Sequence, residues 1–301
     1  MIVSDISHTG RPGAANALPE PLIERILTRL GFNDRPAPTI DGLCSLYSMW
    51  CERVPFDNIR KLIHVRAANA GPLPGSKPED FFEAWLKFGT GGTCWPGAGA
   101  LHAFLAALGF DAVRAIGTMM AAPNLPGQSH DWAVNFGSQV FLVDSSILHG
   151  DPLSLNKKSE TRVSHLAWGV RCVWRESNWF VQWRPLLRLE GFECRLDRFA
   201  AAETDFADFY ERTRGWSPFN YELSVRVNRG DKVIGVASGH SITLLADGSA
   251  AREPLTTAER RRLLIEDVGI TEALVMQLPD DVATPPPPGS QTAQALAQAA
   301  R

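Results

Sequence analysis

One cysteine in the middle of this chain has a setting suited to chemistry. Gly91-Gly92-Thr93-Cys94-Trp95-Pro96 places Cys94 between a glycine-rich turn and a segment whose early proline marks the first turn of a helix. A helix N-terminus favours negative charge, so the position is expected to lower the thiol pKa and enrich the thiolate, the form that attacks carbonyl carbon. The glycines let a substrate approach the backbone closely. Cysteine is also often buried, so a core residue at a tight turn is the competing reading. Downstream partners favour the reactive one. His130 follows a loop over 121–129 that contains Pro123, Pro126 and Gly127, and it opens a strand in which Trp132, Val134 and Phe136 alternate. A histidine there can reach a cleft, or can be a satisfied polar residue at a strand end. Asp144 closes the next apolar run, Val140-Phe141-Leu142-Val143. A carboxylate beside that much apolar surface needs a partner, and an imidazole N–H is a good one. Cys94, His130 and Asp144 together read as a Cys-His-Asp triad for acyl transfer.

The triad makes a demand on the hairpin that carries it. Direct cross-strand partners share a face and faces alternate, so a turn of Gly137 and Ser138 alone would set His130 and Asp144 on opposite faces. A three-residue turn through Gln139, or one bulge, puts them on the same face and is predicted here.

The elements that must position these residues are mixed. Leu22, Ile26 and Leu30 recur at helical spacing, and residues 42–53 repeat the pattern with Leu43, Leu46 and Met49 or Trp50. Val54-Pro55-Phe56-Asp57-Asn58 breaks the helix, because the residue before a proline is pushed out of the α region. Residues 79–88 and 96–108 read as further helices, the second with Leu101, Phe104, Leu105 and Leu108 on one stripe and Gly109 as its stop. Strands are predicted over 112–119, 131–136, 139–144, 166–174 and 179–183, a helix over 197–214, a second strand group over 221–245, and a closing helix opened by Thr256 with Glu259 at capping-box spacing. The expected organisation is α+β: an N-terminal helical bundle over 1–90, a central antiparallel β-barrel-like region over 91–196, a C-terminal α/β lid over 197–282, and a disordered tail rich in Pro, Gln and Ala over 283–301.

Composition narrows the function classes. With 301 residues, 45% of them hydrophobic, the chain can bury a substantial core, and a formal net charge of −3 gives no reason to expect a nucleic-acid partner. Arg260-Arg261-Arg262 reads as a solvated helix face. There is no signal-like or membrane-spanning apolar run, so a cytoplasmic location without membrane contact is expected. Five cysteines, without CxxC units, argue against a disulfide framework and against zinc.

Around these residues the sequence resembles the arylamine N-acetyltransferase family. There an Arg-Gly-Gly-x-Cys segment carries the nucleophile, a Thr-His segment the histidine, and a Val-Asp the aspartate; the matching residues are Thr90 to Cys94, Ser129-His130 and Val143-Asp144. Val54 to Asn58 is similar to its Pro-Phe-Glu-Asn segment, residues 105–110 to its Leu-Gly-Phe ending, Ser217-Pro218-Phe219 to its Ser-Pro-x-Phe region, and residues 256–270 to its closing helix. Coverage runs over about residues 20–278 in the right order. Thr90 replaces the family's arginine, Trp95-Pro96 its Phe-Glu, and Ser145 to Leu148 its Gly-Phe-Gly. These departures leave acyl donor and acceptor open. A branch of amide synthases, which take an acyl chain from a carrier-protein thioester, keeps the triad with altered surroundings.

The resemblance implies no permanently bound cofactor. Acyl-CoA or an acyl-carrier thioester is the cosubstrate, a small-molecule amine the acceptor, and the kinetics ping-pong. The backbone N–H of Cys94 is a candidate oxyanion donor. Phe56, Trp95 and Phe219 are candidates to line the acceptor pocket, although aromatics more often serve the core. A cysteine hydrolase or transglutaminase-like enzyme, or a silent binding protein on the same scaffold, are the alternatives. A nucleotide-binding reading of Gly89, Gly91 and Gly92 lacks its third glycine and any Gly-Lys-Ser/Thr. His102 is expected to make a structural bond, His149-Gly150-Asp151 to form a turn, and His240 has no evident partner in the sequence.

Overall fold

The computed structural model describes residues 18–120, 131–136, 139–165, 167–186 and 190–299. Helices and antiparallel sheets alternate in an α+β arrangement.

The apolar stripe of α1 (Glu20–Leu30) buries Leu22, Ile26 and Leu30, and Gly31 ends it at φ 90°. The Thr39 hydroxyl opens α2 (Ile40–Arg53) by accepting from the Gly42 N–H at 3.1 Å. After Pro55 come β1 (Phe56–Asp57), α3 (Ile59–Arg66), α4 (Pro78–Phe88) and α5 (Cys94–Ala107). Trp50, Phe81, Phe82, Trp85 and Phe104 fill the core between these helices.

Eight strands follow: β2 (Asp111–Met119), β3 (Asp131–Phe136), β4 (Gln139–Leu142), β5 (Leu153–Ser154), β6 (Thr161–Val163), β7 (Val170–Arg175), β8 (Asn178–Trp183) and β9 (Phe192–Phe199). They form one antiparallel sheet in the order β5-β4-β3-β2-β9-β8-β7-β6. Its edge strands β5 and β6 come together, with the Thr161 hydroxyl donating to the Ser154 carbonyl, so the sheet curls around Leu142, Leu153, Val170, Cys172, Val181 and Leu196. Among the described residues no ladder joins the two edges, so it is barrel-like without being a closed barrel.

Two expectations fail here. The predicted helix over 197–214 begins only at α6 (Glu203–Arg212), because residues 192–199 form β9 in the middle of the sheet, hydrogen-bonded to β2 on one side and β8 on the other. Cys194 and Leu196 point inward at strand spacing, and pairing on both edges outweighs helical propensity. The three-residue turn predicted between β3 and β4 is not formed either, and no bulge interrupts their ladder over residues 133–142. Their register is regular from Phe136↔Gln139 to Ala133↔Leu142, which leaves two residues, Gly137 and Ser138, between the strands. Those two lie outside the described residues.

The C-terminal sheet contains β10 (Ser224–Arg229), β11 (Lys232–Ala237), β12 (His240–Leu244) and β13 (Ala250–Pro254), with β1 from the N-terminal region as its far edge. Thr256 and Glu259 make the expected capping box at the start of α7 (Thr257–Leu263), and α8 (Glu272–Val275) follows. The segment expected to be disordered contains ordered parts. Thr284 N–H bonds Glu222 at 3.2 Å, Trp216 donates to the Pro285 carbonyl at 3.0 Å, and residues 291–299 form α9 (Gln291–Ala299). No helix among the described residues is long and apolar enough to cross a membrane.

Candidate active site

The turn before Cys94 is held from below by β1. On one edge β1 pairs with β10, Phe56 opposite Arg226 and Asp57 opposite Val225; on the other, Phe56 bridges to Gly92 and the Asp57 N–H donates to the Gly92 carbonyl at 3.1 Å. The Asp57 carboxylate is buried and collects three donors: Thr90 Oγ1 at 2.8 Å, Gly91 N at 2.6 Å and Ile59 N at 3.0 Å. Burial pushes the Asp57 pKa up, and these bonds with the Arg60 charge oppose it. Thr90 and Asp57 stand where the family pattern has arginine and glutamate, so two separate departures meet in one hydrogen bond. Gly91 has to be glycine, because a Cβ there would lie 1.9 Å from the Pro55 carbonyl oxygen.

Cys94 is the first residue of α5 and keeps some exposed surface. Its sulfur is favoured as thiolate by the Lys61 charge and by the N–H groups of Trp95 and Cys94 itself, and disfavoured by Asp144. Burial is larger than all of these and pushes the thiol up to about 12. The helix start therefore does not lower the thiol pKa overall, contrary to the sequence expectation. Desolvation of a charge deep in the fold exceeds what the end of one helix returns.

Asp144 is buried two residues beyond β4. Its Oδ1 accepts from Ser146 N and Ser146 Oγ, both at 2.7 Å, and from Ile147 N at 2.6 Å. Its backbone is clamped by Tyr47, whose hydroxyl donates to the Asp144 carbonyl at 2.7 Å and accepts from the Asp144 N–H at 3.0 Å. The neighbouring Ser145 seats against the first turn of α5: a Cβ on Gly97 would lie 2.9 Å from Ser145 Oγ. Behind this segment sits a buried polar layer. His149 packs its ring 4.8 Å from Tyr47, donates Nδ1–H to the Asp151 carbonyl at 2.7 Å, and is pushed down to about 4 by burial. Arg226 is lowered to about 10 by burial, against the pull of Cys51, Asp144 and Tyr47.

His130 lies outside the described residues. Asp131, directly after it, opens β3 opposite Ala115 of β2. Since β3 and β4 are antiparallel neighbours, the start of β3 and the end of β4 leading to Asp144 lie at the same end of the hairpin. Pairing stops at Ala133↔Leu142, short of both His130 and Asp144, so the alternation argument does not reach either side chain.

The three aromatic candidates separate. Phe56 and Phe219 meet edge to face at 5.5 Å, with Phe219 half-buried. Trp95 is buried beneath α6, 5.0 Å from Phe206 and stacked 5.4 Å from Phe209. His102 bonds the Ala112 carbonyl through Nε2 at 3.2 Å and is pushed down to about 3 by burial, and then by Arg114. His240, without a partner in the sequence, donates Nδ1–H to the Ser238 carbonyl at 2.7 Å. Arg260 pairs with Asp281 at 3.3 Å while Arg261 and Arg262 face solvent. Sequence reasoning missed Tyr47, Lys61 and Tyr210. Tyr47 sits at core spacing with Leu43 and Trp50, and nothing local distinguishes Lys61 from a solvated lysine.

No protein-family model matches the chain, and no curated protein matches it by sequence. Solved structures do. The arylamine N-acetyltransferase from Mycobacterium abscessus superposes with a TM-score of 0.71 at 20% identity, covering 86% of this chain and 95% of that one. The enzyme from Salmonella typhimurium gives 0.70 at 18% identity over 85% and 97%. The Mycobacterium marinum enzyme in complex with CoA gives 0.71 at 18% over 85% and 98%. This chain thus has the fold of the arylamine N-acetyltransferases, with Cys94 at the head of α5 and Asp144 just past β4.

Proposed function

We propose that the protein is an N-acyltransferase that carries an acyl group from a thioester to an amine through Cys94. The observation that carries this reading is the meeting of two elements within that fold: the first turn of α5, headed by Cys94, seats against the segment holding the buried Asp144. A thiol pushed up to about 12 is almost wholly protonated at neutral pH, so attack requires a base. His130, one residue before β3, is that base. It takes the thiol proton, and the sulfur attacks the thioester carbonyl. The donor thiolate leaves with a proton from His130, giving the acyl-enzyme. An amine then attacks, loses its proton to His130, and displaces Cys94. Asp144 holds the imidazole tautomer and stabilises its protonated form. The N–H of Cys94 is the oxyanion donor, and Phe56 and Phe219 line the acceptor side.

The CoA-bound relative supports acyl-CoA as donor. A carrier-protein thioester is the second donor class. The acceptor is a small-molecule amine, and the location is cytoplasmic, where the thiol stays reduced. Incubation with acyl-CoA or acyl-pantetheine and no amine, followed by intact mass, is expected to show one added acyl group that is absent in Cys94→Ala and His130→Ala. No adduct with any thioester donor would refute the covalent mechanism, and an adduct from amide donors as fast as from thioesters would make it a hydrolase-type enzyme instead.

A further inference from the structure

At the rim of the eight-stranded sheet, where β6 and β8 end and β7 and β9 begin, lies an open groove of about 600 Å³. That is within the roughly 300–1,000 Å³ of small-molecule sites. Cross-strand register explains its two lips. Arg162 stands directly opposite Arg171, and Arg171 opposite Gln182. The adjacent Cys172 and Val181 are buried in the core of this sheet, so the two arginines and the glutamine share its outer face. Val163, Val170 and Trp183, each next in sequence to one of those three, fall on the inner face and give the groove an apolar lip. Just past the end of β8, Arg184 also lines the groove. Its backbone is fixed. The Arg184 carbonyl accepts from Nη1 of the buried Arg226 at 3.0 Å, and Leu186 packs so tightly on β11 that a Cβ on Gly235 would lie 2.3 Å from its Cδ1.

The charges along this groove are not balanced. Like charges directly opposite each other across a ladder repel, yet Arg162 and Arg171 share a single carboxylate, Glu160, at 2.6 and 3.6 Å. Arg171 directs its Nε to Gln182 Oε1 at 2.5 Å. Arg184 makes no ion pair among the described residues, and its Nε is shielded from water without a hydrogen-bond partner. A dry, unpaired donor is unfavourable until something accepts from it. His165, also in the lining, adds a neutral donor: its Nδ1 accepts from the Ala167 N–H at 3.0 Å, so the uncharged ring carries its proton on Nε2. Against these donors the lining holds one carboxylate, Glu190. We propose that this groove is a binding site for a small organic anion, its carboxylate or phosphate held by Arg162, Arg171 and Arg184 and its apolar body lying against Val170 and Trp183. Guanidinium groups match such oxyanions with paired N–H bonds. The site does not involve Cys94, and the inference stands independently of the acyl-transfer reading.

The test is NMR of backbone amides and tryptophan indoles in the full chain, titrated with phenyl phosphate and with benzoate. These probes carry the two oxyanions on the same ring, while inorganic phosphate lacks the ring and benzyl alcohol lacks the charge. Saturable shifts are expected at Gly169, Trp183 and Gly191 with at least one ring-bearing anion, and the tighter of the two identifies the preferred head group. Arg171→Gln and Arg184→Gln are each expected to weaken that binding by about tenfold or more, the loss of a charge-assisted bond. Glu190→Gln is expected to tighten it, because the one opposing carboxylate of the lining is gone. Arg171 and Glu190 are exposed, so their variants are expected to fold and decide the matter if Arg184→Gln does not. The absence of saturable shifts with both anions overturns the proposal. Equal binding of benzyl alcohol or of inorganic phosphate overturns it too, as does binding that the arginine substitutions leave unchanged.

Discussion

Asp57→Asn is the most informative single change in the turn below Cys94. The amide keeps the shape of the carboxylate, and its carbonyl oxygen can still accept from Thr90 and Ile59, the two donors now on Oδ1. The new NH2 group then faces the Gly91 N–H, which lies 2.6 Å from Oδ2 in the native protein. Two donors meet and a buried N–H loses its acceptor. Losing a charge-assisted bond costs about 1.5–3 kcal/mol, and leaving a buried donor unsatisfied about 1–3 kcal/mol, the two descriptions overlapping in part. The turn cannot move away, since Gly91 already packs its Cα against the Pro55 carbonyl. Some relief comes from burial, which disfavours the native carboxylate charge and pushes its pKa up. The net expectation is a loss of about 2–3 kcal/mol, within the roughly 5–15 kcal/mol typical of a folded domain, so the variant should fold. Urea unfolding at pH 7 reads the stability, and Cys94 acylation reads the geometry. Acylation should slow at least several-fold, because the turn that aims α5 is loosened. A loss under about 0.5 kcal/mol with native acylation would refute the role given to Asp57. The pH dependence has a definite sign. The folded pKa of Asp57 lies above its unfolded value, so its contribution is fully present below the unfolded pKa and is lost as pH rises through the folded one. Asp57→Asn should therefore weaken the protein less at pH 7 than at the acid end of its folded range.

Three further changes test the surroundings. Tyr47→Phe removes the two bonds that the Tyr47 hydroxyl makes to the buried Asp144 backbone, so urea unfolding should show a loss of about 2–4 kcal/mol with slower acyl transfer; unchanged stability would contradict the clamp. Gly91→Ala puts a methyl group where 1.9 Å is available to the Pro55 oxygen, and is expected to cost at least about 3 kcal/mol or to prevent folding, whereas Gly99→Ala, with open space around its Cβ, should cost under about 1 kcal/mol in the same thermal-unfolding series. Cys51 and Cys94 are both pushed up to about 12 by burial, from an ordinary value of 9.0. Their contribution is whole below the unfolded value and is lost as pH rises toward the folded one, so the urea midpoint should fall between about pH 9 and 12, and Cys51→Ser, which keeps an acceptor for the Gly150 N–H, should flatten that fall.

What was legible in the sequence was what short-range rules govern. The helix start at Cys94 follows from Gly91, Gly92 and Pro96 within six residues, and the Thr256–Glu259 box is complete within four. Contacts made across the chain were not legible. β9 is a strand because it pairs with β8 on one edge and, on the other, with β2, which lies far earlier in the chain. The β3–β4 register is regular where a three-residue turn is expected from the triad, and the pairing stops before either catalytic candidate, so alternation along the hairpin does not fix their faces. Tyr47 lies 97 residues from Asp144, and Lys61 lies 152 from Thr213. In the sequence Tyr47 is one more apolar-stripe residue and Lys61 one more basic residue, and only packing gives each a single polar partner in a dry place.

The two-residue strand β1 ties together three parts of the molecule around the turn that leads to Cys94. Its Asp57 ties down the Thr90–Gly91 turn ahead of the nucleophile, while the next residue, Asn58, donates to the Phe219 carbonyl at 3.0 Å and the Glu222 carbonyl at 2.8 Å and accepts from the Ser224 N–H at 2.8 Å. Phe56, one position earlier, carries its ring to Phe219. Three consecutive side chains thus connect the C-terminal sheet, the segment containing Phe219 and the turn before Cys94. The Thr90 hydroxyl reaches the Asp57 carboxylate at 2.8 Å, and both side chains are buried. The Thr90 hydroxyl, two backbone N–H groups and the neighbouring Arg60 favour the charge of the Asp57 carboxylate against its burial.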